Sequence, residues 1–275
     1  MTVMDLTGRR ILVVGASSGI GRSVALAAAE AGAEIVAVGR RKELLDAVVS
    51  EAGSGTALAV DVCSAEGRER IERAAADVLG SSVDAALHCV GASQLLPISE
   101  TPLQAWDDAF ATNVTAPCLI TSALLPHLVP GAVVAFLSSR SVGRPYHGVG
   151  AYAASKAALD QAILSWRLEH REHRFLRIEV GDTTGTDFGR SFDERRVAQL
   201  LPLWATHAAL SEHMMDCGDL GAVIVQLLAV TLGHPQVAMR DLVLHPPGGP
   251  MTEGIQEFLD NMREAYASRG IGSPQ

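Results

Sequence analysis

The sequence predicts an α/β fold in which a mostly parallel sheet is flanked by helices on both faces. Short apolar runs, among them residues 11–14 and 131–137, alternate along the chain with longer segments of helical composition. Strands that alternate with helices in this way indicate βαβ units and a parallel sheet. The apolar runs are also continuous, which is typical of strands that are covered on both faces.

The expected elements follow one another without an interdomain linker or an internal repeat. Strands are predicted at residues 11–14, 34–38, 57–60, 85–89, 131–137, 176–180 and about 241–245. Helices are predicted at residues 20–31, 42–51, 65–78, 103–125 and 149–170. Pro117 lacks an amide hydrogen, so we expect the fourth helix to be interrupted near this residue. The order predicts a Rossmann-like, doubly wound sheet in a single domain over residues 1–275.

The composition is that of a globular protein, with 48% hydrophobic and 19% charged residues and a formal net charge of −9. Nucleic-acid phosphates need clustered Lys and Arg, so we expect no nucleic-acid partner. No unbroken apolar run reaches the ~18 residues of a membrane span, and the N-terminus lacks the pattern of a signal peptide. We expect a cytoplasmic protein that makes no membrane contact.

The cysteine spacing matches no metal motif. We expect reduced thiols in or near the core of a cytoplasmic protein, and no metal site. The four positions are Cys63, Cys89, Cys118 and Cys217.

A glycine-rich turn, Gly15-Ala-Ser-Ser-Gly-Ile-Gly21, lies between the first predicted strand and the first predicted helix. Gly15 permits a sharp turn, while Gly19 and Gly21 let a pyrophosphate and the next helix approach the backbone. The helix N-terminus adds amide hydrogens and a partial positive charge. We interpret the turn as a dinucleotide site; the alternative is a tight strand-to-helix turn that binds no ligand.

Tyr152 and Lys156 lie four residues apart in an Ala-rich helical run and therefore share one helix face. A free Tyr holds its proton until about pH 10, and we expect the neighbouring ammonium to lower that pKa. The pair can then exchange a proton with a substrate oxygen near neutral pH. Ser139 lies upstream, just after an apolar strand, where a strand-end cap is its alternative role.

Together these residues resemble the short-chain dehydrogenase/reductase family. The resemblance spans residues 9 to about 190 and implies hydride transfer between a nicotinamide cofactor and a carbonyl or secondary alcohol. It also implies a homotetramer or homodimer. The matching positions, in the order and spacing of the family, are Gly15, Gly19, Gly21, Asp61, Val62, Asn113, Ser139, Tyr152 and Lys156.

The resemblance implies a role for each catalytic position. Tyr152 would be the general acid in reduction, and Ser139 would donate a hydrogen bond to the developing oxyanion. Lys156 would bind the nicotinamide ribose and depress the pKa of Tyr152. Asn113 would hold a water that links Lys156 to solvent, the alternative being a polar residue tolerated at a helix bend. The predicted cofactor contacts are Gly15, Ser17, Ser18, Gly19, Ile20, Gly21, Arg40, Arg41, Asp61, Val62, Gly91, Tyr152, Lys156, Gly181 and Thr183.

The end of the second predicted strand favours NADP(H) over NAD(H). NAD-binding folds usually place a carboxylate about twenty residues beyond the glycine turn, and the corresponding position here is Gly39, followed by Arg40 and Arg41. Arginine can pair with a 2′-phosphate in a bidentate way. The alternative is that both arginines are solvated residues at a helix start.

The sequence departs from the family pattern in three places. Val14 stands where threonine is common, the stretch Asn-Asn-Ala-Gly reads His88-Cys-Val-Gly91, and Pro-Gly reads Val180-Gly181. Gly91 and Gly181 keep the small residues that let a cofactor lie against the strand ends. We expect these departures to change cofactor positioning but not the chemistry.

Residues 183–215 break the alternation of strands and helices. Bulky apolar residues in this segment, such as Phe188 and Trp204, follow a stretch rich in Thr and Gly. We predict a substrate lid; the alternative is a pair of surface helices packed on the sheet. A helical tail is expected at about 251–275.

The predicted function is an NADP(H)-dependent oxidoreductase acting on a small, largely apolar substrate. A non-catalytic dinucleotide-binding regulator is the alternative, which the presence of both Tyr152 and Lys156 disfavours. A hydrolase triad is disfavoured because no Gly-x-Ser-x-Gly elbow surrounds Ser139. The predicted pocket residues are Ser93, Gln94, Leu95, Tyr146 and parts of 183–215. We expect His88 at a strand end near the cofactor and His147 in a loop near the pocket mouth. We expect a structural role for His245.

Overall fold

The computed structural model of the chain describes residues 5–207 and 210–249. Its main sheet contains seven parallel strands in the order β3-β2-β1-β4-β5-β6-β9. The strands of this sheet are β1 (Arg10–Val14), β2 (Glu34–Gly39), β3 (Thr56–Ala59), β4 (Val83–His88), β5 (Leu128–Leu137), β6 (Arg174–Val180) and β9 (Asp241–Leu244). A separate two-stranded parallel ladder consists of β7 (Thr183–Thr184) and β8 (Met215–Asp216).

Helices connect the strands and cover both faces of the sheet. They are α1 (Gly19–Glu30), α2 (Lys42–Ala52), α3 (Ala65–Asp77), α4 (Leu103–Phe110), α5 (Ala116–Leu124), α6 (Gly150–Glu169), α7 (Glu194–Thr206) and α8 (Cys217–Gly233). The strand order reverses between β1 and β4, and ligands of open parallel sheets bind in the crevice at such a switch point. The fold class predicted from the sequence is confirmed.

The core forms two layers, one on each face of the sheet. Residues along β1 alternate between the layers, with Ile11 and Val13 in one and Leu12 and Val14 in the other, and all four are fully buried. This burial on both faces explains the continuous apolar runs in the sequence. In the first layer, α1 packs closely on α8, where a Cβ at Gly221 would lie 2.6 Å from the Cβ of Ser23.

The helix predicted at 103–125 is interrupted near Pro117, as predicted. A π-helical turn over Ala111–Thr115 separates α4 from α5, and Pro117 follows it in the first turn of α5. Proline provides no amide hydrogen for the regular helical bond at this point. The irregular turn contains Asn113.

The same stretch, Leu103–His127, is long and apolar enough to cross a membrane by length and composition, with a mean hydropathy of 1.3. The stretch contains polar residues, so it is not an unbroken apolar run. In the structure α5 packs on the core through Ile120 and Leu124, which are fully buried. The stretch therefore belongs to the helices that cover one face of the sheet.

The bounds of the other elements agree with the predictions to within a few residues. The strands at 83–88, 128–137 and 174–180 begin earlier than predicted, because each starts with polar residues or with an irregular register, as between Val83 and Ala85. The tail predicted at 251–275 lies outside the described residues.

Candidate active site

The glycine turn is compressed against the end of β4. Gly15 has φ +92°, and a Cβ there would lie 2.9 Å from the carbonyl carbon of Cys89. A Cβ at Gly21 would lie 2.2 Å from the carbonyl oxygen of Gly15, so neither position accepts a side chain. Gly19 has φ +54°, a conformation that glycine adopts without strain. The sequence thus fixes a tight strand-to-helix turn at the switch point.

The N-terminus of α1 is available to an anion. Ser18 is its N-cap, but the Ser18 side chain makes no capping hydrogen bond; its hydroxyl instead accepts from Arg41 Nη2 at 2.7 Å. The first amide groups of a helix need partners, and phosphate is a natural one at such a turn. The turn therefore fits the pyrophosphate of a dinucleotide.

Ser139, Tyr152 and Lys156 converge at the carboxyl end of β5. The Ser139 hydroxyl is hydrogen-bonded to the Tyr152 phenol, and Lys156 Nζ lies 5.9 Å from the centroid of the Tyr152 ring. Lys156 is buried and donates to the carbonyl oxygens of Leu137 at 2.8 Å and Val90 at 3.2 Å. The ammonium is thereby held between two strand ends and the helix that carries Tyr152.

The ionisation of this cluster differs from the prediction. Burial raises the pKa of Tyr152 to about 12, against a smaller lowering by the Ser139 hydrogen bond. Burial lowers the pKa of Lys156 to about 8, while the Asp160 carboxylate acts in the opposite direction. The predicted depression of the Tyr152 pKa is not found, because burial raises this pKa and the Asp160 carboxylate raises it further.

Asn113 is fully buried at the π-turn and braces the loop after β4. Its Oδ1 accepts from Ala92 N at 2.8 Å, and its Nδ2 donates to Ala92 O at 2.9 Å and to Ser155 Oγ at 2.9 Å. Both amide hydrogens are therefore used. The structure brings Asn113 to the site, and the predicted water relay through it stays a prediction.

Arg41, rather than Arg40, reaches the glycine turn. Arg41 Nη2 donates to Ser17 Oγ at 2.9 Å and to Ser18 Oγ at 2.7 Å, whereas Arg40 is exposed. Gly39 is buried, and a Cβ there would lie 3.5 Å from Ser17 Cβ. No carboxylate occupies the end of β2, and one guanidinium lies over the turn.

The remaining predicted cofactor contacts lie along the same edge of the sheet. Asp61 and Val62 follow β3, with Asp61 exposed and Val62 buried. Gly91 has open space where a Cβ would project, while a Cβ at Gly181 would lie 3.0 Å from His245 Cδ2. Thr183 Oγ1 donates to the Gly181 carbonyl at 3.0 Å. Ile20 is half-buried in the first turn of α1.

A family model described as short chain dehydrogenase matches residues 9–196. This match covers the glycine turn, Asn113 and the Ser139–Tyr152–Lys156 cluster. The chain belongs to the short chain dehydrogenase family. Relatives of this chain are reductases and dehydrogenases by name, and this chain is an oxidoreductase with an NAD(P)-binding fold.

Three similar proteins illustrate the relationship. The mouse L-xylulose reductase is 34% identical over 185 residues, covering 66% of this chain and 73% of that protein. A short chain dehydrogenase of Pseudocercospora fijiensis is 36% identical over 166 residues, covering 57% of this chain and about half (53%) of that protein. A protein from Beutenbergia cavernae, proposed to be an NAD(P)-dependent gluconate 5-dehydrogenase, was solved with NADP at low occupancy. It has a TM-score of 0.70 and 26% identity, covering 88% of this chain and 96% of its own.

An apolar cluster lies beside Tyr152 in this short chain dehydrogenase. Its buried members are Leu95, Val149 and Leu200, and Tyr146, Tyr152, Phe192, Val197 and Trp204 pack against them. The Phe188 ring also lies 4.8 Å from the Tyr152 ring. Leu95 and Tyr146 were predicted pocket residues, and the structure brings both to the cluster; Gln94 is exposed and Ser93 half-buried.

The segment 183–215 packs on the active-site loops and not on the sheet. Its described part contains one helix, α7, in place of the two of the alternative interpretation. Trp204 Nε1 donates to the His147 carbonyl at 2.8 Å, and a Cβ at Gly148 would lie 2.6 Å from Leu200 Cδ1. The two ends of the segment are joined by the β7–β8 ladder.

A buried ionic network anchors these ends, and the sequence analysis missed it. Asp182 Oδ2 accepts from Arg140 Nη1 at 3.1 Å and from Ser211 N at 2.9 Å. Asp182 Oδ1 accepts from Tyr146 Oη at 2.9 Å. The exposed fractions of the Arg140 and Asp182 side chains are 9% and 16%. The network ties the residue after Ser139 to both ends of the segment.

The histidines predicted near the site lie in three different environments. Among the described residues no group of three or more His, Cys, Asp or Glu could hold a metal ion. His88 is buried at the end of β4, its Nε2 lies 3.0 Å from Thr121 Oγ1, and burial lowers its pKa to about 3. His147 lies near Trp204, and His245 pairs with Glu179 at 3.0 Å. Cys63 is exposed, against the prediction, because it lies in the loop after β3.

Proposed function

We propose that this chain is an NADP(H)-dependent oxidoreductase that reduces the carbonyl of a small, largely apolar molecule, or oxidises the corresponding secondary alcohol. The observation that carries the proposal is the Tyr152 phenol, hydrogen-bonded to Ser139 and lying above the buried Lys156. The apolar cluster lies next to this phenol. A carbonyl oxygen beside Tyr152 can accept hydrogen bonds from the hydroxyls of Tyr152 and Ser139. The rest of the substrate then contacts the side chains of the apolar cluster.

Each residue of the cluster has a role in the reaction. The nicotinamide, when bound, supplies or accepts the hydride. Tyr152 gives its proton to the carbonyl oxygen in reduction, and its raised pKa keeps that proton available at neutral pH. Ser139 donates a hydrogen bond to the charge that develops on the oxygen. Lys156 holds the ribose hydroxyls with the donor that its two carbonyl contacts leave, and Asn113 places the water that returns the proton from solvent.

The choice of NADP(H) rests on the end of β2. Gly39 offers no carboxylate to repel a 2′-phosphate, and Arg40 and Arg41 follow it. The similar protein from Beutenbergia cavernae was solved with NADP, which supports the proposal. We expect NADPH to bind more tightly than NADH, and the removal of the arginines that follow Gly39, by Arg40→Ala and above all by Arg41→Ala, to abolish most of this preference. A charge-assisted phosphate contact contributes about 1.5–3 kcal/mol, which is about tenfold or more in affinity.

Fluorescence titration of both cofactors measures this preference. Arg41→Ala is the companion variant, because Arg41 is the arginine that reaches the glycine turn. Equal affinities of the wild-type protein for the two cofactors, or tighter binding of NADH, would contradict the NADP(H) assignment.

A polyhydroxylated ketone is the second candidate substrate. It is favoured by the names of two similar proteins, an L-xylulose reductase and a gluconate 5-dehydrogenase. The apolar cluster favours the first candidate, because sugar hydroxyls buried against it would lose hydrogen bonds to water. A panel of cyclic ketones, aryl ketones and ketoses, assayed by NADPH oxidation, separates the two. Turnover that prefers ketoses selects the second candidate, and cofactor binding without turnover of any compound points to the non-catalytic alternative.

A homodimer or homotetramer is part of the proposal. Exposed leucines occur on neighbouring layer helices, Leu119 on α5 at 43% and Leu164 and Leu168 on α6 at 51% and 65% exposure. Light scattering after gel filtration reports the number of subunits, and Leu168→Glu is expected to lower it. A cytoplasmic location is proposed as well, supported by cysteines that are not joined in disulfides.

A further inference from the structure

Four consecutive residues of the segment 183–215 lie across the proposed cofactor site. The Gly185 carbonyl accepts from Cys217 Sγ at 3.5 Å. A Cβ at Gly19 would lie 3.2 Å from the Cα of Thr186, so this part of the chain lies directly over the glycine turn. Asp187 pairs with Arg41, and the Phe188 ring packs on Tyr152. Residues 185–188 therefore extend from the glycine turn to the catalytic phenol.

The Arg41 guanidinium is held from two sides. Its Nε and Nη2 donate to the hydroxyls of Ser17 and Ser18 at 2.7–3.3 Å, and its Nη1 donates to Asp187 Oδ2 at 2.6 Å. The serine contacts aim the planar group over the glycine turn. The Asp187 carboxylate accepts from the remaining nitrogen, Nη1, through one oxygen, and a phosphate oxygen can take the same donor.

Neighbouring charges and partial exposure to solvent determine the strength of the Arg41–Asp187 ion pair. Arg41 and Ser18 lower the pKa of Asp187, although burial acts in the opposite direction, so the carboxylate is ionised at neutral pH. Arg190 adds a weaker contact at 3.9 Å. The exposed fractions of the Arg41 and Asp187 side chains are 36% and 23%, so solvent screens the pair and a competing anion can displace the carboxylate.

We propose that Asp187 is a specificity-determining residue for the cofactor: its carboxylate competes with a 2′-phosphate for Arg41, and in the absence of that phosphate the pair holds residues 185–188 beside the glycine turn. This inference rests on the proposed function. NADH carries no 2′-phosphate and leaves the pair unchallenged. Asp187 thus reduces the advantage that the arginines give to NADPH.

The first test is a cofactor-binding cycle. Kd values for NADPH and NADH are measured by fluorescence with the wild type, Asp187→Asn, Arg41→Ala and the double variant. Asp187→Asn should tighten NADPH about two- to fivefold, the size of a partly exposed ion pair, and change NADH by less than twofold. In the Arg41→Ala background Asp187→Asn should leave NADPH affinity unchanged. Glu43→Gln, an exposed carboxylate in the first turn of α2, is the control and should leave both affinities unchanged.

The second test needs no cofactor. Hydrogen exchange of residues 185–190 should be about two- to fivefold faster in both Asp187→Asn and Arg41→Ala than in the wild type, and unchanged in Glu43→Gln. Unchanged exchange in the two variants would overturn the holding role. Unchanged or weaker NADPH binding by Asp187→Asn would overturn the competition.

The two tests separate this inference from the proposed function. A wild-type protein that binds neither cofactor contradicts the proposed function and, with it, the competition. A wild-type protein that binds NADPH while the Asp187→Asn protein behaves identically contradicts only the inference.

Discussion

The strand-end half of the site and the segment 183–215 are built by different kinds of contact. In the strand-end half, backbone conformation places the groups: Gly15 and Gly21 exclude any side chain, and Lys156 is held by two carbonyl oxygens. In the segment, side chains do so, through the Arg140–Asp182 and Arg41–Asp187 ion pairs. The strand-end half can therefore act on the carbonyl group of many substrates, whereas the segment 183–215 is suited to select one substrate.

The largest expected effect comes from Tyr152→Phe in the strand-end half. Only the hydroxyl is removed, so cofactor binding should be nearly unchanged while turnover falls roughly 10²–10⁴-fold, the usual size of a general acid–base contribution. Steady-state assays and cofactor titration measure the two effects. Tyr146→Phe is the control on the other side of the pocket, because the Tyr146 hydroxyl donates a hydrogen bond to Asp182. Activity above about half of the wild-type value in Tyr152→Phe would rule out Tyr152 as the proton donor.

The next effect tests the anchor of the segment. Arg140→Met leaves the half-buried Asp182 carboxylate without its cation, and removing one partner of a buried pair costs about 3 kcal/mol of unfolding free energy. Urea unfolding measures this loss. Arg10→Met, which breaks the exposed pair with Glu34, is the matched control and should cost less than about 1 kcal/mol. Equal losses in the two variants would mean that the network does not anchor the segment.

The pH dependence of the strand-end half is expected to follow Lys156. Burial lowers the pKa of Lys156 to about 8, so the ammonium loses its proton as the pH rises through that value. Carbonyl reduction, followed as kcat/KM for NADPH, should therefore be level below pH about 8 and fall above it, because kcat/KM reports the free enzyme. A profile without a break between pH 7 and 9.5 would contradict this account.

The same shift has a consequence for stability. The folded-state pKa of Lys156 is below the ordinary value of 10.5 for lysine, so the unfolded chain binds more protons between pH about 8 and 10.5. Stability therefore rises with pH in that window. Relative to Lys156→Met, the wild-type protein should gain stability from pH 8 to 10.5. A constant difference between the two proteins across that window would contradict the lowered pKa.

The smallest expected effect concerns motion of the segment. We expect hydrogen exchange in residues 183–207 to be faster than in the sheet in the free protein, and to slow when cofactor and substrate are bound, because Phe188, Phe192 and Trp204 then cover the ligand. Exchange as slow as in the sheet in the free protein would support a fixed structural layer.

The difference between the two halves also explains how far the sequence could predict the site. The glycine turn, Ser139, Tyr152 and Lys156 follow from short motifs at strand ends, and local sequence determines where a strand ends. The helix interruption near Pro117 also follows from a local signal, because proline lacks an amide hydrogen, and the π-turn lies just before it. The bonds of the Asn113 side chain to Ala92 and Ser155 join residues far apart in the chain, so the sequence did not reveal them.

The contacts of the segment were out of reach for sequence reasoning. Arg140 and Asp182 are 42 residues apart, and Arg41 and Asp187 are 146 apart, so no local pattern connects them. Arg40 and Arg41 are equivalent in sequence terms, and the direction of each side chain depends on where α2 begins. The ionisation of Tyr152 was predicted from its charged neighbour, and burial, which decides it, is a property of the fold.

The central claim, hydride transfer between nicotinamide and a carbonyl carbon, is tested most directly by isotope transfer. NADPH carrying deuterium at the transferable C4 position is incubated with the protein and the ketone that is turned over fastest, and the alcohol is analysed by mass spectrometry. We predict an alcohol heavier by one mass unit with the wild-type protein and almost none with Tyr152→Phe. Bound NADPH with no deuterium in any product across the ketone and ketose panel would contradict the claim.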